Sequence, residues 1–99
     1  MSRNLPKEEL VCVDIVISGK VQGVFFRSTM KSAADLIGAK GWVRNTEDGK
    51  VKALVQGRSE DIEKIIRWCE LGPEKARVDS VQVKETECKE TYRNFAILY

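Results

Sequence analysis

Apolar and polar residues alternate along the first regular segment of the chain, residues 10–18. Its apolar β-branched residues share one parity along the chain: Val11, Val13, Ile15 and Ile17. This period of two predicts a strand with one buried face. Residues 1–9 are polar, contain a proline and have no period. We therefore predict a flexible N-terminal arm over 1–9 and one folded domain over 10–99.

Two later segments have the period of an amphipathic helix. In the first, apolar residues recur at i, i+4, i+7, i+8 and i+11: Phe26, Met30, Ala33, Ala34 and Ile37. In the second they recur at i, i+3, i+4 and i+7: Ile62, Ile65, Ile66 and Cys69. Gly38 ends the first helix as a left-handed cap, and a Gly-Pro pair at 72–73 stops the second.

Further strand patterns lie at residues 42–45, 50–56, 78–83 and 95–98, and the Asp-Gly pair at 48–49 is a hairpin turn signal. The order is therefore strand–helix–strand–strand–helix–strand, with a short C-terminal strand added. This order predicts an α+β fold of the ferredoxin-like type, in which an antiparallel β-sheet carries both helices on one face.

Composition narrows the class of protein. A length of 99 residues with 42% hydrophobic and 32% charged side chains suits one globular domain. The net charge is only +2 with interleaved signs, so no basic stripe for nucleic acid is expected. No apolar run approaches the ~20 residues of a membrane helix, and no secretory leader is visible. We expect a cytoplasmic monomer. Met1 and the closing strand favour a free-standing domain over a piece cut from a larger protein.

The chain has no histidine, which removes the usual general base and most transition-metal sites. Its three cysteines, Cys12, Cys69 and Cys88, are widely spaced and form no C-x-x-C pair. This pattern argues against a disulfide framework or a zinc site and predicts reduced thiols. We expect Cys69 to be buried and inert, whereas Cys12 and Cys88 are open to oxidation.

The segment GKVQGVFFR, residues 19–27, joins the first strand to the first helix. Two glycines there can turn the chain so that several N–H groups, unpaired at the helix start, point to one spot. The helix dipole favours an anion at that spot, and the Arg27 fork is well matched to phosphate oxygens. The residues alone are also compatible with a plain tight connection and a solvated Arg27.

Asn45 ends the second strand, which runs in the same direction as the first in a split strand–helix–strand unit. It therefore reaches the sheet edge that carries the glycine loop. Because it shares the parity of Val43, its amide can face the helix side near Arg27 and hold a water there. The alternative role for Asn45 is turn formation before the Asp-Gly pair.

GKVQGVFFR followed by GWVRNTEDGKV resembles the acylphosphatase family, and the similarity extends over roughly residues 11–98 in the same order and spacing. The family hydrolyses the carboxyl–phosphate bond of acyl phosphates and releases inorganic phosphate. The resemblance implies that Arg27 binds the phosphoryl group and that Asn45 orients the attacking water. It implies a phosphate cradle made by the backbone amides of Val21, Gln22, Gly23, Val24, Phe25, Phe26 and Arg27. It also implies a reaction with no metal, no cofactor and no phosphoenzyme.

The competing hypothesis is a non-catalytic module of the same fold that binds an anion or RNA. The pattern GxVxGxxF resembles a signature of RNA-recognition motifs. That signature belongs on a central strand whose aromatic side chains stack on bases. Here the pattern falls at a loop and a helix start, and the strand at 50–56, KVKALVQ, has no aromatic residue.

Overall fold

The computed structural model describes residues 9–99, in which seven elements follow the predicted order. They are β1 (Val11–Lys20), α1 (Phe26–Ile37), β2 (Lys40–Asn45), β3 (Val51–Gly57), α2 (Ser59–Leu71), β4 (Arg77–Thr86) and β5 (Phe95–Leu98). The predicted arm over 1–9 lies outside the described residues except for Glu9, which is exposed and has no regular structure. Neither helix of the described chain has the length and apolar character to cross a membrane.

The five strands form one sheet in the order β4-β1-β3-β2-β5. The ferredoxin-like prediction is confirmed, because two helices pack on a five-stranded sheet with split strand–helix–strand halves. One detail differs, since the sheet is mixed and not wholly antiparallel. Strand β5 pairs parallel to β2, from Gly41 opposite Phe95 to Arg44 opposite Leu98. The other three pairings are antiparallel.

Both helices lie on the same face of the sheet, with α1 over β2 and β5 and α2 over β1, β3 and β4. The apolar stripe of each helix packs there against the apolar side chains of β1, and together these side chains form the core. The largest buried side chains of this core are Phe26, Phe95, Ile15, Ile17, Met30 and Ile65. Phe26 and Trp68 bring the two helices together in an edge-to-face contact, with ring centroids 5.2 Å apart.

Residues 87–94, here called the strap, connect β4 at one edge of the sheet to β5 at the other. Four inter-strand spacings of ~4.8 Å separate these edges, or roughly 19 Å. Eight residues extend to at most about 26–29 Å, so the strap has little slack. It crosses the sheet on the face away from the helices, where it covers Cys12 and Gln56. Because it arrives beside the start of β2, β5 must run parallel to that strand.

Two features fasten the strap to the sheet. Gln56 is 1% exposed; its amide nitrogen donates to the Glu90 carbonyl at 2.8 Å, and its side-chain oxygen accepts from the Tyr92 N–H at 2.9 Å. A disulfide joins Cys12 to Cys88 across 76 residues of sequence. The prediction of reduced thiols was therefore wrong for this pair. Cys12 faces Thr86 in the β1–β4 ladder, so the strand pairing brings Cys88 beside it, and no spacing in the sequence reveals this.

The expectation for the third cysteine is confirmed. Cys69 is free, lies fully buried on the core face of α2, and extends the stripe formed by Ile62 and Ile65. Burial, with the nearby Glu70 carboxylate adding to it, raises the pKa of the Cys69 thiol to about 12. The thiolate is the reactive form, so this side chain is inert while the protein is folded.

Candidate active site

The loop between β1 and α1, residues 21–25, is shaped by glycines and by one unusual phenylalanine. At Gly19 the β1–β4 register shifts, and a Cβ there would clash with the Arg77 carbonyl oxygen, so only glycine fits. Gly23 has a φ of 76°, and Phe25, which precedes the helix, has a φ of 64°. Left-handed backbone favours glycine, and a bulky residue there is rare. The loop therefore turns sharply into the helix at a strained position.

The start of α1 leaves hydrogen-bond donors without partners inside the helix. The first helical hydrogen bond runs from the Thr29 N–H to the Phe25 carbonyl at 3.0 Å. The N–H groups of Phe26, Arg27 and Ser28 precede it and so have no intrahelical acceptor. The Phe25 side chain makes no capping bond, and no acidic residue stands in the first turn. This end of the helix is therefore open to an anion.

The loop is attached to the turn between β2 and β3. The Gln22 amide donates to the carbonyls of Thr46 at 2.8 Å and Lys50 at 2.9 Å. Inside this turn the Thr46 hydroxyl bonds the Asp48 carboxylate and accepts from the Lys50 N–H at 2.9 Å. These contacts fix the turn that follows Asn45 and hold it against the loop that precedes Arg27.

Asn45 and Arg27 meet at one cleft of about 330 Å³. Asn45 ends β2 two residues after the buried Val43, so its side chain lies on the helix side of the sheet, where Arg27 begins α1. Among the described residues, Thr46, Asp48 and Lys50 make the hydrogen bonds of the turn, and the Asn45 side chain makes none. The described residues that line the cleft are Val21, Gly23, Phe25, Phe26, Arg27, Ser28, Asn45, Ile97 and Tyr99.

The end of β5 holds the Arg27 side chain. Arg27 Nη1 donates to the Leu98 carbonyl at 3.2 Å, and the guanidinium lies 4.9 Å from the centre of the Tyr99 ring. A cation over an aromatic face is attracted by the ring quadrupole. The carbonyl uses one of the five N–H donors of the guanidinium, so the others remain for a ligand in the cleft.

A family model described as Acylphosphatase matches residues 13–97. The chain belongs to the acylphosphatase family. A protein named acylphosphatase from Pyrobaculum calidifontis is 47% identical over 91 residues, which are 91% of this chain and 83% of that one. The resemblance inferred from the loop and strand motifs is therefore confirmed, and so is the prediction of an enzyme with acylphosphatase activity.

Solved structures support the same family. An acylphosphatase from Coxiella burnetii superposes with a TM-score of 0.88 at 32% identity, over 95% of this chain and 100% of that one. Full-length HypF, solved in a phosphate- and nucleotide-bound form, superposes with a TM-score of 0.82 at 33% identity. The match covers 93% of this chain but only 12% of HypF. The acylphosphatase fold thus occurs both alone and within a much longer protein.

Five of the seven residues whose backbone amides are predicted to form the cradle line the cleft of this acylphosphatase: Val21, Gly23, Phe25, Phe26 and Arg27. The side chains of the other two lie elsewhere, Gln22 against the turn after Asn45 and Val24 in the core. The roles of the backbone amides, of Arg27 and of Asn45 stay predictions.

Sequence reasoning missed three residues that line the cleft: Ser28, Ile97 and Tyr99. The last two come from β5 and the residue after it. Their placement depends on the parallel pairing of β5 with β2, which brings the end of β5 to the same edge as Asn45. The available signal was the crossover from β4 to the far edge of the sheet, which dictates that direction.

Among the residues that the structure describes, Arg27 is the one Lys, Arg, Asp or Glu side chain that lines the cleft, so these residues give the site a positive charge. No group of three or more His, Cys, Asp or Glu side chains within residues 9–99 is arranged to hold a metal ion. The cleft can therefore offer an anion a guanidinium, helix-start N–H groups, an amide and a hydroxyl.

Proposed function

We propose that this cleft hydrolyses acyl phosphates to a carboxylate and inorganic phosphate. The single observation that carries the proposal is the meeting of Arg27, Asn45 and the open start of α1 at one cleft. They come from two elements, the start of α1 and the end of β2, and together they supply a charge clamp, fixed N–H donors and a group that can orient water. Membership in the acylphosphatase family supports the same reaction.

In this scheme the phosphoryl group binds where the N–H groups of residues 21–27 and the Arg27 guanidinium converge. Two parallel hydrogen bonds from a guanidinium to phosphate oxygens give both charge and orientation. The Leu98 carbonyl and the Tyr99 ring pre-orient Arg27, so little ordering of the side chain is left for the moment of binding. Preformed donors also stabilise the charge of the transition state without reorganisation.

The Asn45 amide holds a water by accepting from it or donating to it, and aims its oxygen at phosphorus opposite the leaving group. The new bond forms between the water oxygen and phosphorus as the bond between phosphorus and the bridging oxygen breaks. The bridging oxygen leaves as a carboxylate, which needs no proton. The water proton passes to a phosphoryl oxygen, so the chain needs no histidine. A loose phosphoryl-transfer transition state chiefly requires in-line positioning and charge stabilisation.

The Arg27→Ala variant tests the clamp. We expect kcat/KM for benzoyl phosphate to fall by at least about 10²–10³-fold, because a charged preorganised donor is lost. Inhibition by inorganic phosphate should weaken in parallel, since the product uses the same clamp. The matched control is Arg44→Ala, which removes a half-buried arginine whose guanidinium lies over Trp42 and which is absent from the cleft lining. Unchanged phosphate inhibition in Arg27→Ala would contradict the proposal.

The Asn45→Ala variant tests the water-orienting role. We expect kcat to fall by about 10²-fold while KM and phosphate inhibition change little, because the group acts on the attacking water and not on the phosphoryl oxygens. Asn94→Ala, at an exposed asparagine of the strap, is the control. A loss confined to KM would overturn the assignment.

The substrate class is tested with the same enzyme preparation by comparing benzoyl phosphate with phenyl phosphate, with and without a chelator. We expect the acyl phosphate to be preferred and the chelator to have no effect. Preference for the monoester would contradict the proposal, because phenolate is a poor leaving group that requires an acid, and no Asp or Glu side chain among the described residues lines the cleft.

A further inference from the structure

Three side chains of the cleft present apolar surface and do not contact the phosphoryl group in the scheme above: Phe25, Ile97 and the ring of Tyr99, here called the apolar rim. Two of them are among the most exposed large apolar residues of the described chain, with Phe25 74% and Tyr99 98% accessible. They come from two separate segments that both line the cleft, Phe25 from the loop before α1 and the other two from the end of β5 and the residue after it. Apolar side chains gathered around a ligand cleft commonly bind the apolar part of the ligand.

Phe25 is the least expected of the three. Its backbone has a φ of 64°, a conformation that glycine adopts without strain and a phenylalanine does not. Its ring is not buried in the core, so packing does not account for the choice. A residue that satisfies neither local conformation nor burial points to a role toward something outside the fold.

The chemistry of an acyl phosphate places its acyl group beside this rim. The acyl carbon lies two bonds from phosphorus, through the bridging oxygen. The Tyr99 ring centre lies 4.9 Å from the Arg27 guanidinium carbon, and Arg27 is the proposed phosphoryl clamp. A phosphoryl group held by Arg27 therefore leaves its acyl substituent within the same cleft, next to Tyr99 and Phe25.

Among the described residues, the lining contains no second Lys, Arg, Asp or Glu side chain to pair with a charged acyl group. Apart from Arg27, its polar side-chain groups are the hydroxyls of Ser28 and Tyr99 and the amide of Asn45. The Arg27 charge is engaged by the phosphoryl group, so a carboxylate or ammonium on the acyl side would lose hydration without an ion pair in return. An aromatic or branched aliphatic acyl group would bury apolar surface against the rim instead.

We infer that the apolar rim of Phe25, Ile97 and Tyr99 binds the acyl group and makes the enzyme select acyl phosphates with aromatic or bulky aliphatic acyl groups. Small acyl groups, such as acetyl, and charged ones are used less well. This inference rests on the proposed function, because it extends the phosphoryl site outward to the leaving group.

The test compares kcat/KM for benzoyl phosphate and acetyl phosphate in the unmodified enzyme, Phe25→Gly and Phe25→Tyr. Glycine keeps the left-handed backbone and removes the ring, whereas tyrosine keeps both ring and position. We expect Phe25→Gly to lower the benzoyl-to-acetyl ratio by about 2- to 12-fold, the range typical of one aromatic contact. Phe25→Tyr should keep the ratio. Tyr99→Ala should lower it by a similar factor.

A binding readout separates recognition from catalysis. Benzoylphosphonate and acetylphosphonate carry a carbon–phosphorus bond in place of the bridging oxygen and are not hydrolysed. Their inhibition constants should show the same loss of discrimination in Phe25→Gly. Leu36→Ala is the matched control, because Leu36 is 90% exposed on α1 and absent from the cleft lining.

The outcomes distinguish the two proposals. If the unmodified enzyme hydrolyses both substrates and Phe25→Gly reduces them equally, the rim has no role in selection and only this inference fails. The same conclusion follows if the ratio falls equally in Leu36→Ala. If the unmodified enzyme hydrolyses neither substrate, the proposed function itself fails and this inference with it.

Discussion

The two ends of the sheet use polar groups in opposite ways. At the loop end, the start of α1 leaves N–H groups without helical acceptors, and Arg27 and Asn45 face a cleft. At the strap end, Gln56 is buried and bonded to two backbone groups of the strap. Within the described residues, no buried side-chain nitrogen or oxygen lacks a hydrogen-bond partner.

In this chain of 99 residues, one end of the sheet contributes to stability and the other end is available to a ligand. Donors that are paired inside the protein contribute to stability, whereas donors left open at a helix start are available to a ligand. The strap end carries the disulfide and a buried amide, which offset the strain and openness of the loop end. Substitutions at the two ends should therefore affect different measurements.

The largest expected effect on stability comes from breaking the Cys12–Cys88 bridge. We expect Cys88→Ser to lower the free energy of unfolding by about 2–5 kcal/mol, because a cross-link over 76 residues restricts the unfolded chain. Turnover of benzoyl phosphate at 25 °C should change little, since the bridge lies at the end of the sheet away from the cleft. Urea unfolding and steady-state kinetics on the same preparation check both.

A thiol reductant supplies the control for that prediction. It should destabilise the unmodified protein by the same amount and leave Cys88→Ser unaffected. Thiol titration of the unreduced protein should find no reactive group while it is folded and one, Cys69, after denaturation, because burial keeps the pKa of that thiol at about 12. An unfolding midpoint that does not respond to the reductant would falsify the bridge.

A smaller effect is expected from Gln56→Leu, which keeps the buried volume but removes both hydrogen bonds to the strap. The Glu90 carbonyl and the Tyr92 N–H would then lack their partner, so unfolding should require about 1–3 kcal/mol less. Hydrogen exchange at the Tyr92 amide should accelerate. Gln82→Leu, on the exposed face of β4, serves as the control. Unaltered exchange at Tyr92 would mean that Gln56 does not hold the strap.

The smallest effect on stability, with a larger one on activity, is expected for Gln22→Ala at the loop end. The Gln22 amide joins the loop before Arg27 to the turn after Asn45. Its loss should cost roughly 1 kcal/mol of stability. It should lower kcat/KM by about 10- to 100-fold, because small misplacements of catalytic groups are costly. The kcat/KM values for benzoyl and acetyl phosphate should fall by the same factor. An unaffected kcat/KM would contradict the positioning role of Gln22.

Much of the fold was predictable because its signals are local. The parity of β1 and the stripes of α1 and α2 specify which faces are buried, and these faces form the core. In β2, the alternation that buries Val43 likewise predicts Asn45 on the helix side of the sheet. Gly19 and Gly23 marked the turn into α1, at positions where the backbone has positive φ.

The missing parts depend on contacts between distant residues. The Cys12–Cys88 bridge follows from the register of β1 with β4, and the place of Tyr99 follows from the direction of β5. The hydrophobic periodicity of the sequence predicts neither the bridge nor the place of Tyr99. For Phe25 the sequence predicts only a role of the backbone amide in the cradle. Phenylalanine disfavours a left-handed conformation, and no sequence pattern signals one at this position.

The contact between Arg27 and the Leu98 carbonyl spans 71 positions of the chain. During synthesis at roughly 5–20 residues per second, about 4–14 s pass between the addition of these two residues. A nascent chain thus carries its anion clamp well before it carries the carbonyl that orients it. Phosphate affinity should accordingly mature only when β5 has paired with β2, after the rest of the sandwich has been made.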